Sequence, residues 1–148
     1  MNQAFDTQDF EKVDSNMTIL HSRFAEVRRS YRGSKEEVGA IPLNHAHPNI
    51  DYKDRFALFH NGFIANFDEL KQDISPALFN RYDTKCLTDS QVVTALIAAE
   101  MDKNLTLKEA LKNVVEQKLL GTYRIAVMEI TNPTCILFVK NSGDFSFS

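Results

Sequence analysis

The sequence has few cysteines and lacks any long apolar run. Its 148 residues include two cysteines, Cys86 in a polar stretch and Cys135 at the start of an apolar one. Two cysteines in such different settings do not suggest a disulfide framework, so we predict a reducing, cytoplasmic location. No apolar run approaches the roughly 20 residues that cross a bilayer, and the polar, acidic start has no signal-peptide core. The sequence therefore predicts a protein without a membrane span.

The sequence also lacks repeats, low-complexity tracts and an excess of positive charge. Lysine and arginine number 17 against 20 aspartates and glutamates, a net charge of −3. The basic residues between positions 28 and 35 alternate with serine, tyrosine and glycine, as in a solvated loop. We therefore predict no nucleic-acid partner. With 43% hydrophobic residues, the chain can bury the core of one globular domain.

The order of apolar patterns predicts an α+β fold. Strands are expected over 17–24, 38–41, 55–60, 122–130 and 134–140, and helices from Phe67, over 89–101 and after Thr106. Gly121 is expected to end the last helix, and Asn132-Pro133 predicts a hairpin between the final two strands. We expect residues 1–16 to be a divergent polar segment and residues 17–148 to form the domain. Strands followed by paired helices and more strands are typical of helices laid on a sheet.

Residues 60–70, His-Asn-Gly-Phe-Ile-Ala-Asn-Phe-Asp-Glu-Leu, are the most informative stretch. An apolar strand precedes Asn61-Gly62, a dipeptide that tolerates positive φ and predicts a turn with backbone donors facing outward. Asn66 followed by Glu69 is an N-cap signature for the next helix. On this pattern alone, Asn61-Gly62 fits either an ordinary hairpin turn or an anion hole.

Several motifs in order resemble the class II glutamine amidotransferases. They are His21-Ser22-Arg23-Phe24-Ala25, Asn44-His45-Ala46-His47-Pro48, His60-Asn61-Gly62 with Asn66 and Glu69-Leu70, Leu87-Thr88-Asp89-Ser90, and Leu120-Gly121-Thr122-Tyr123. The set is most similar to the glutaminase domain of the glutamine–fructose-6-phosphate aminotransferases and spans residues 18–140. The resemblance implies the four-layer αββα sandwich of the N-terminal-nucleophile hydrolases, incomplete here at both ends.

The resemblance also implies roles for five residues. The Asn61 side chain and the Gly62 N–H correspond to the oxyanion hole. Arg23 corresponds to the guanidinium that clamps the α-carboxylate of glutamine, and Asp89 to the carboxylate that holds its α-ammonium. His47 matches a histidine of the site wall. The implied partners are glutamine or a similar amino acid and a sugar-phosphate isomerase domain.

Some of these residues also have plainer interpretations. Thr88-Asp89-Ser90-Gln91 predicts a capping box, which is compatible with ligand binding by Asp89. Arg23 on its own fits a surface arginine at a strand end. His45 and His47 suggest a metal site, but no helical pair of histidines and no nearby cysteine completes a ligand set. We predict neither a metal nor a cofactor.

The chain departs from the family at the nucleophile. The family uses a cysteine that becomes the first residue after methionine removal, whereas this chain begins Met-Asn-Gln. Neither Cys86 nor Cys135 stands next to a free amine that could activate it, so we predict no catalytic role for either. Glu26 stands where the family has a threonine, and it would bring a carboxylate near that of the ligand. The chain as written is expected to lack glutaminase activity.

Three functions remain open. The chain could be the glutaminase domain of an aminotransferase that supplies ammonia from glutamine for amino-sugar synthesis. It could be a catalytically inactive relative that binds glutamine or a related amino acid. It could also be a structural subunit of a homo-oligomer or a larger assembly, in which a partner covers an exposed strand edge.

Overall fold

The computed structural model describes residues 47–82 and 87–141. In this part of the chain, β1 (Asn49–Ile50), β2 (Phe56–Ile64), β3 (Gly121–Glu129) and β4 (Ile136–Lys140) form an antiparallel sheet in the order β1-β2-β3-β4. The helices are α1 (Phe67–Gln72), α2 (Asp89–Met101) and α3 (Leu107–Gln117), with a 3-10 helix at Pro76–Phe79. Helices combined with an antiparallel sheet confirm the α+β class. The strands predicted over 17–24 and 38–41 lie outside the described residues.

One face of the sheet packs against the helices and forms the core. Every second residue of a strand points to the same face. On this face lie Phe56, Leu58 and Ile64 of β2 and Ile125 and Val127 of β3, all fully buried. Burying one such side chain contributes about 1.5–3 kcal/mol. The paired central strands therefore supply the platform on which the helices rest.

Helix α2 lies at the centre of this core. It begins at the predicted capping box, in which Thr88 Oγ1 accepts from Gln91 N at 3.3 Å and Gln91 Oε1 accepts from Thr88 N at 2.9 Å. The predicted bounds of 89–101 are confirmed. Every residue from Ser90 to Ala98 is buried, so this stretch of the helix has no solvent-exposed face. The helix contacts β1, β2, α1, α3 and the 3-10 helix, so little of its surface meets water.

Helix α3 covers α2 with an apolar stripe. Its predicted start is confirmed by a second capping box between Thr106 and Glu109. The buried residues are Leu107, Ala110, Leu111 and Val114, at the spacing of one helical face. The helix ends at Gln117, so the prediction that Gly121 ends it is wrong. None of the described helices is both long and apolar enough to cross a membrane.

The two central strands approach each other closely at two glycines. Gly62 has a φ of +142° and Gly121 a φ of +130°, conformations that side chains disfavour. A Cβ on Gly62 would clash with the Thr122 carbonyl oxygen, and a Cβ on Gly121 with the Phe63 carbonyl oxygen. The prediction that Asn61-Gly62 forms a turn is therefore wrong. Both residues lie within β2, where Gly62 pairs with Tyr123, and the turn follows at residues 65–66.

A charged cluster ties the β1–β2 loop to the end of α2. The Asp51 side chain is fully buried and accepts from Arg55 Nε at 2.7 Å and from Arg55 N at 2.5 Å. The same guanidinium donates to Asp102 Oδ1 at 2.8 Å and to Ala98 O at 3.2 Å. A cation at the carboxyl end of a helix is favoured by the helix dipole. The cluster therefore fixes β1 and β2 against α2.

Glu100 pairs with two lysines near the end of α2. Its Oε1 accepts from Lys103 Nζ and from Lys118 Nζ, both at 2.9 Å. The hydrogen bonds from Lys103 and Lys118 hold the pKa of this buried carboxyl below its usual value, although burial acts in the opposite direction. The pair with Lys118 joins α2 to the end of α3.

We expect Gly121→Ala to lower the free energy of unfolding by at least about 2 kcal/mol, because the new methyl group meets backbone in a strained conformation. Thr122→Ala, at the exposed neighbouring position, is the matched control and should change stability by no more than about 0.5 kcal/mol. Urea denaturation of the three proteins measures both effects. Equal stability of the two variants would show that β2 and β3 do not need this close approach.

We expect Glu100→Gln to cost about 1 kcal/mol at neutral pH, because two charge-assisted hydrogen bonds become neutral ones. A carboxyl whose pKa falls on folding stabilises the protein above its unfolded-state pKa, close to 4.5, and loses that contribution as the pH falls through the folded-state value. The stability difference between wild type and variant should therefore shrink below pH 4.5. Urea denaturation of both proteins at several pH values above and below this point measures the difference. A difference in the free energy of unfolding that did not change with pH would contradict the pairing of Glu100 with the two lysines.

Candidate functional site

The second half of β2 carries two of the predicted site residues. Asn61 and Gly62 are both exposed. His60 and Ile64 point into the core, so the alternation of the strand places the Asn61 side chain on the opposite face of the sheet. An amide side chain and an uncovered stretch of backbone are therefore accessible to a small molecule at this point of the strand.

Asp89 is held against the end of the same strand. It is the first residue of α2, and its Oδ2 accepts from Ile64 N at 3.2 Å while its Oδ1 accepts from Ser90 N at 2.9 Å. Ile64 lies two residues beyond Gly62. The structure thus places Asn61, Gly62 and Asp89 at the same end of β2, with Asp89 on the α2 side of the sheet and the Asn61 side chain on the opposite side.

A buried histidine links this strand to the helix. His60 is 4% exposed, and its Nδ1 lies 2.9 Å from Ser90 Oγ and 3.9 Å from Asp89 Oδ1. A polar side chain in the core is tolerated when it is hydrogen-bonded. The sequence motifs predict no role for either His60 or Ser90. The strand pattern does indicate that His60 is buried. His60 follows Phe56 and Leu58 at intervals of two residues, so in a strand its side chain lies on the same apolar face as theirs.

Asn66 fixes the exit of β2 to the entry of β3. It occupies the N-cap position of α1, but the predicted capping bond is wrong, because its side chain makes no hydrogen bond to that helix. Its Nδ2 donates to Lys118 O at 2.8 Å, and its Oδ1 accepts from Leu120 N at 3.0 Å. Ala65 N adds a backbone bond of 2.7 Å to Leu120 O. This amide clamp lies beside the glycine pair and holds that end of the two strands together.

The other predicted residues are placed as follows. His47 lies two residues before β1, and the antiparallel register that sets Asn49 opposite Leu58 directs it toward the His60 end of β2. Arg23 and Cys86 lie outside the described residues. Within residues 47–82 and 87–141, no three His, Cys, Asp or Glu side chains form a group that could hold a metal ion.

We expect Ser90→Ala to lower the free energy of unfolding by about 1–3 kcal/mol, because it leaves a ring nitrogen of His60 buried without its hydroxyl partner. Ser75→Ala is the control: Ser75 is exposed, and its side chain makes no capping hydrogen bond to the 3-10 helix that follows. Thermal and urea denaturation measure both variants. An effect of Ser90→Ala no larger than that of the control would contradict a structural bridge between β2 and α2.

Comparisons with known proteins identify relatives that match most of this chain. No protein-family model matches the chain. The glutamine–fructose-6-phosphate aminotransferase (isomerizing) of Methanocaldococcus jannaschii is 30% identical over 144 residues, which cover 93% of this chain and 12% of that protein. The protein of the same name from Methanococcus maripaludis is 30% identical over 141 residues, which cover 92% of this chain and 21% of that protein. The protein of the same name from Thermococcus kodakarensis is 29% identical over 134 residues, which cover 90% of this chain and 20% of that protein.

The chain spans about a fifth or less of the length of these curated relatives, whereas the matches span about nine-tenths of the chain. Relatives of one name match nearly the whole chain, which confirms the resemblance that the ordered motifs predict. The chain is therefore a homologue of a segment of the glutamine–fructose-6-phosphate aminotransferases.

Proposed function

We propose that the chain is a glutaminase-type domain whose site binds glutamine or a closely related free amino acid. The observation that carries the proposal is the hydrogen bond of 3.2 Å between Asp89 Oδ2 and Ile64 N, which holds the carboxylate on the strand of Asn61 and Gly62. Asp89 would bind the α-ammonium of the ligand. The Asn61 amide and the Gly62 N–H would bind the carbonyl oxygen of its side chain.

The geometry of Asp89 supports this role. Each carboxylate oxygen accepts one backbone hydrogen bond, and each has a further lone pair for an ammonium group. The side chain is 22% exposed, so a ligand can reach it while water competes less than at an open surface. The backbone bonds orient the carboxylate before any ligand arrives, which reduces the entropic cost of binding.

We further propose that this chain binds its ligand without hydrolysing it. Cleavage through a thioester needs a thiolate beside the bound carbonyl. Cys135 is exposed and precedes β4, whose Ile136 pairs with Met128 of β3. Tyr123, the partner of Gly62, lies five residues from Met128 along β3, a separation of roughly 17 Å. This thiol is out of reach of a carbonyl bound at Gly62, and Cys86 lies outside the described residues.

The proposal extends to the fold and to the larger protein. Ala57 and Ala126, on the sheet face opposite the helices, are buried, which supports a second layer of the kind found in the four-layer αββα sandwich. In a longer aminotransferase, such a domain would supply ammonia from glutamine to a sugar-phosphate isomerase domain for amino-sugar synthesis. The cytoplasmic location stays a prediction.

We expect the full chain to bind glutamine in calorimetric titration and to release no ammonia. Asp89→Asn should weaken binding at least about tenfold, because the neutral amide loses its attraction for the ammonium. Its oxygen can still accept from Ile64 N, so the fold should persist. Asp68→Asn, which removes the same charge from an exposed position of α1, is the matched control and should bind like wild type.

Three outcomes would each contradict a part of the proposal. Absence of both binding heat and a shift in melting temperature at millimolar glutamine would favour a purely structural role. Equal binding by Asp89→Asn and Asp68→Asn would remove Asp89 from the site. Ammonia release by wild type would overturn the proposed lack of hydrolysis while leaving the binding site in place.

A further inference from the structure

An arginine stands directly opposite Asn61 in the sheet. The register of β2 and β3 pairs Asn61 with Arg124, and that of β3 and β4 pairs Arg124 with Lys140. Directly opposed residues of antiparallel strands project from the same face, with Cβ atoms about 4.5–5.5 Å apart. Tyr123 and Ile125, on either side of Arg124, are buried against the helices. Arg124 therefore projects from the face that Asn61 occupies, beside the proposed carbonyl site.

The guanidinium of Arg124 is not paired by the described part of the chain. Arg124 is half-buried, and its Nε is a buried donor without a hydrogen-bond partner. The two other arginines within the described ranges both pair with carboxylates, Arg55 with Asp51 and Arg81 with Asp54. A partly buried cation without a counter-charge is poorly solvated and gains most from an incoming anion. Arginine is also suited to a carboxylate, which it can bind with two parallel hydrogen bonds.

We propose that Arg124 makes the site selective for a free amino acid whose side chain ends in a carboxylate, of the glutamate class. The inference rests on the proposed function, because it uses the same binding site. The α-ammonium lies at Asp89, and the side-chain carboxylate lies between Asn61, Gly62 and Arg124. A neutral carboxamide at that place needs only the amide donors of Asn61 and Gly62. A carboxylate uses those donors and also neutralises the guanidinium.

The charges on the two sides of the site fit such a ligand. Asp89 supplies a carboxylate at the start of α2, and Arg124 supplies a guanidinium across from Asn61 on β3. An acidic amino acid carries its ammonium at one end and its side-chain carboxylate at the other, so both charges meet an opposite one. Glutamine leaves the second charge unmatched. If Arg124 instead held the α-carboxylate, its loss would weaken glutamate and glutamine alike, and binding measurements separate these two arrangements.

The test is calorimetric titration of the full chain with L-glutamate and with L-glutamine. We expect wild type to bind glutamate at least about tenfold more tightly. Arg124→Gln should weaken glutamate binding by at least the same factor and leave glutamine binding nearly unchanged, whereas Arg124→Lys should keep part of the preference. Arg81→Gln, which removes the same charged group from a residue outside the site, should bind both ligands like wild type. Melting temperatures of all variants check that they fold.

Each outcome decides the inference. Selectivity for an acidic side chain would be overturned if wild type bound glutamine as tightly as glutamate. It would also be overturned if Arg124→Gln lost affinity for both ligands by the same factor. Either result would leave the proposed amino-acid site in place. Failure of wild type to bind either ligand would overturn both. The wild-type comparison needs no variant, so it decides the question independently of whether Arg124→Gln folds.

Discussion

The close pairing of β2 with β3 at two glycines is the constraint on which the candidate site depends. Gly62 and Gly121 have positive φ, and the space that a Cβ would need is filled by backbone of the facing strand. The Asn66 side chain then fixes the ends of both strands through Lys118 O and Leu120 N. This pairing allows β2 to continue past Asn61 to Ile64, whose N–H meets Asp89.

The second requirement is the burial of α2. Because the sheet, α3 and the shorter elements surround this helix, its first residue cannot move without disturbing the core. The bridge from His60 to Ser90 adds a directional contact of 2.9 Å between strand and helix. Apolar packing sets the approximate position of the helix, and this hydrogen bond restrains its rotation and sliding. Asp89 is consequently a carboxylate on a rigid support, as precise binding of a small ligand requires.

The features that were predicted correctly depend on neighbours in sequence. The starts of α2 and α3 were found because a capping box is complete within four residues, as at Thr88 and Thr106. The two glycines were misinterpreted because a glycine with positive φ can lie in a turn, at a helix end or in a closely paired strand. Which of these applies depends on the strand that faces the glycine, and the local sequence does not identify that strand. Asn66 was misassigned for the same reason. Asp89 came from the family resemblance, and Arg124 was missed because its place opposite Asn61 follows from a register that the sequence does not state.

The distribution of charge separates the parts of this molecule that hold the fold from the part that faces a ligand. Asp51 is neutralised by Arg55, and Glu100 by two lysines. The carboxylates in these clusters are already paired with cations of the chain, so they do not require a charge from a ligand. At the candidate site, Asp89 is oriented by backbone N–H groups, and the guanidinium of Arg124 is left without a carboxylate from the described residues. A charge that the fold does not compensate must be compensated by solvent or by a ligand, and partial burial makes solvent the poorer of the two.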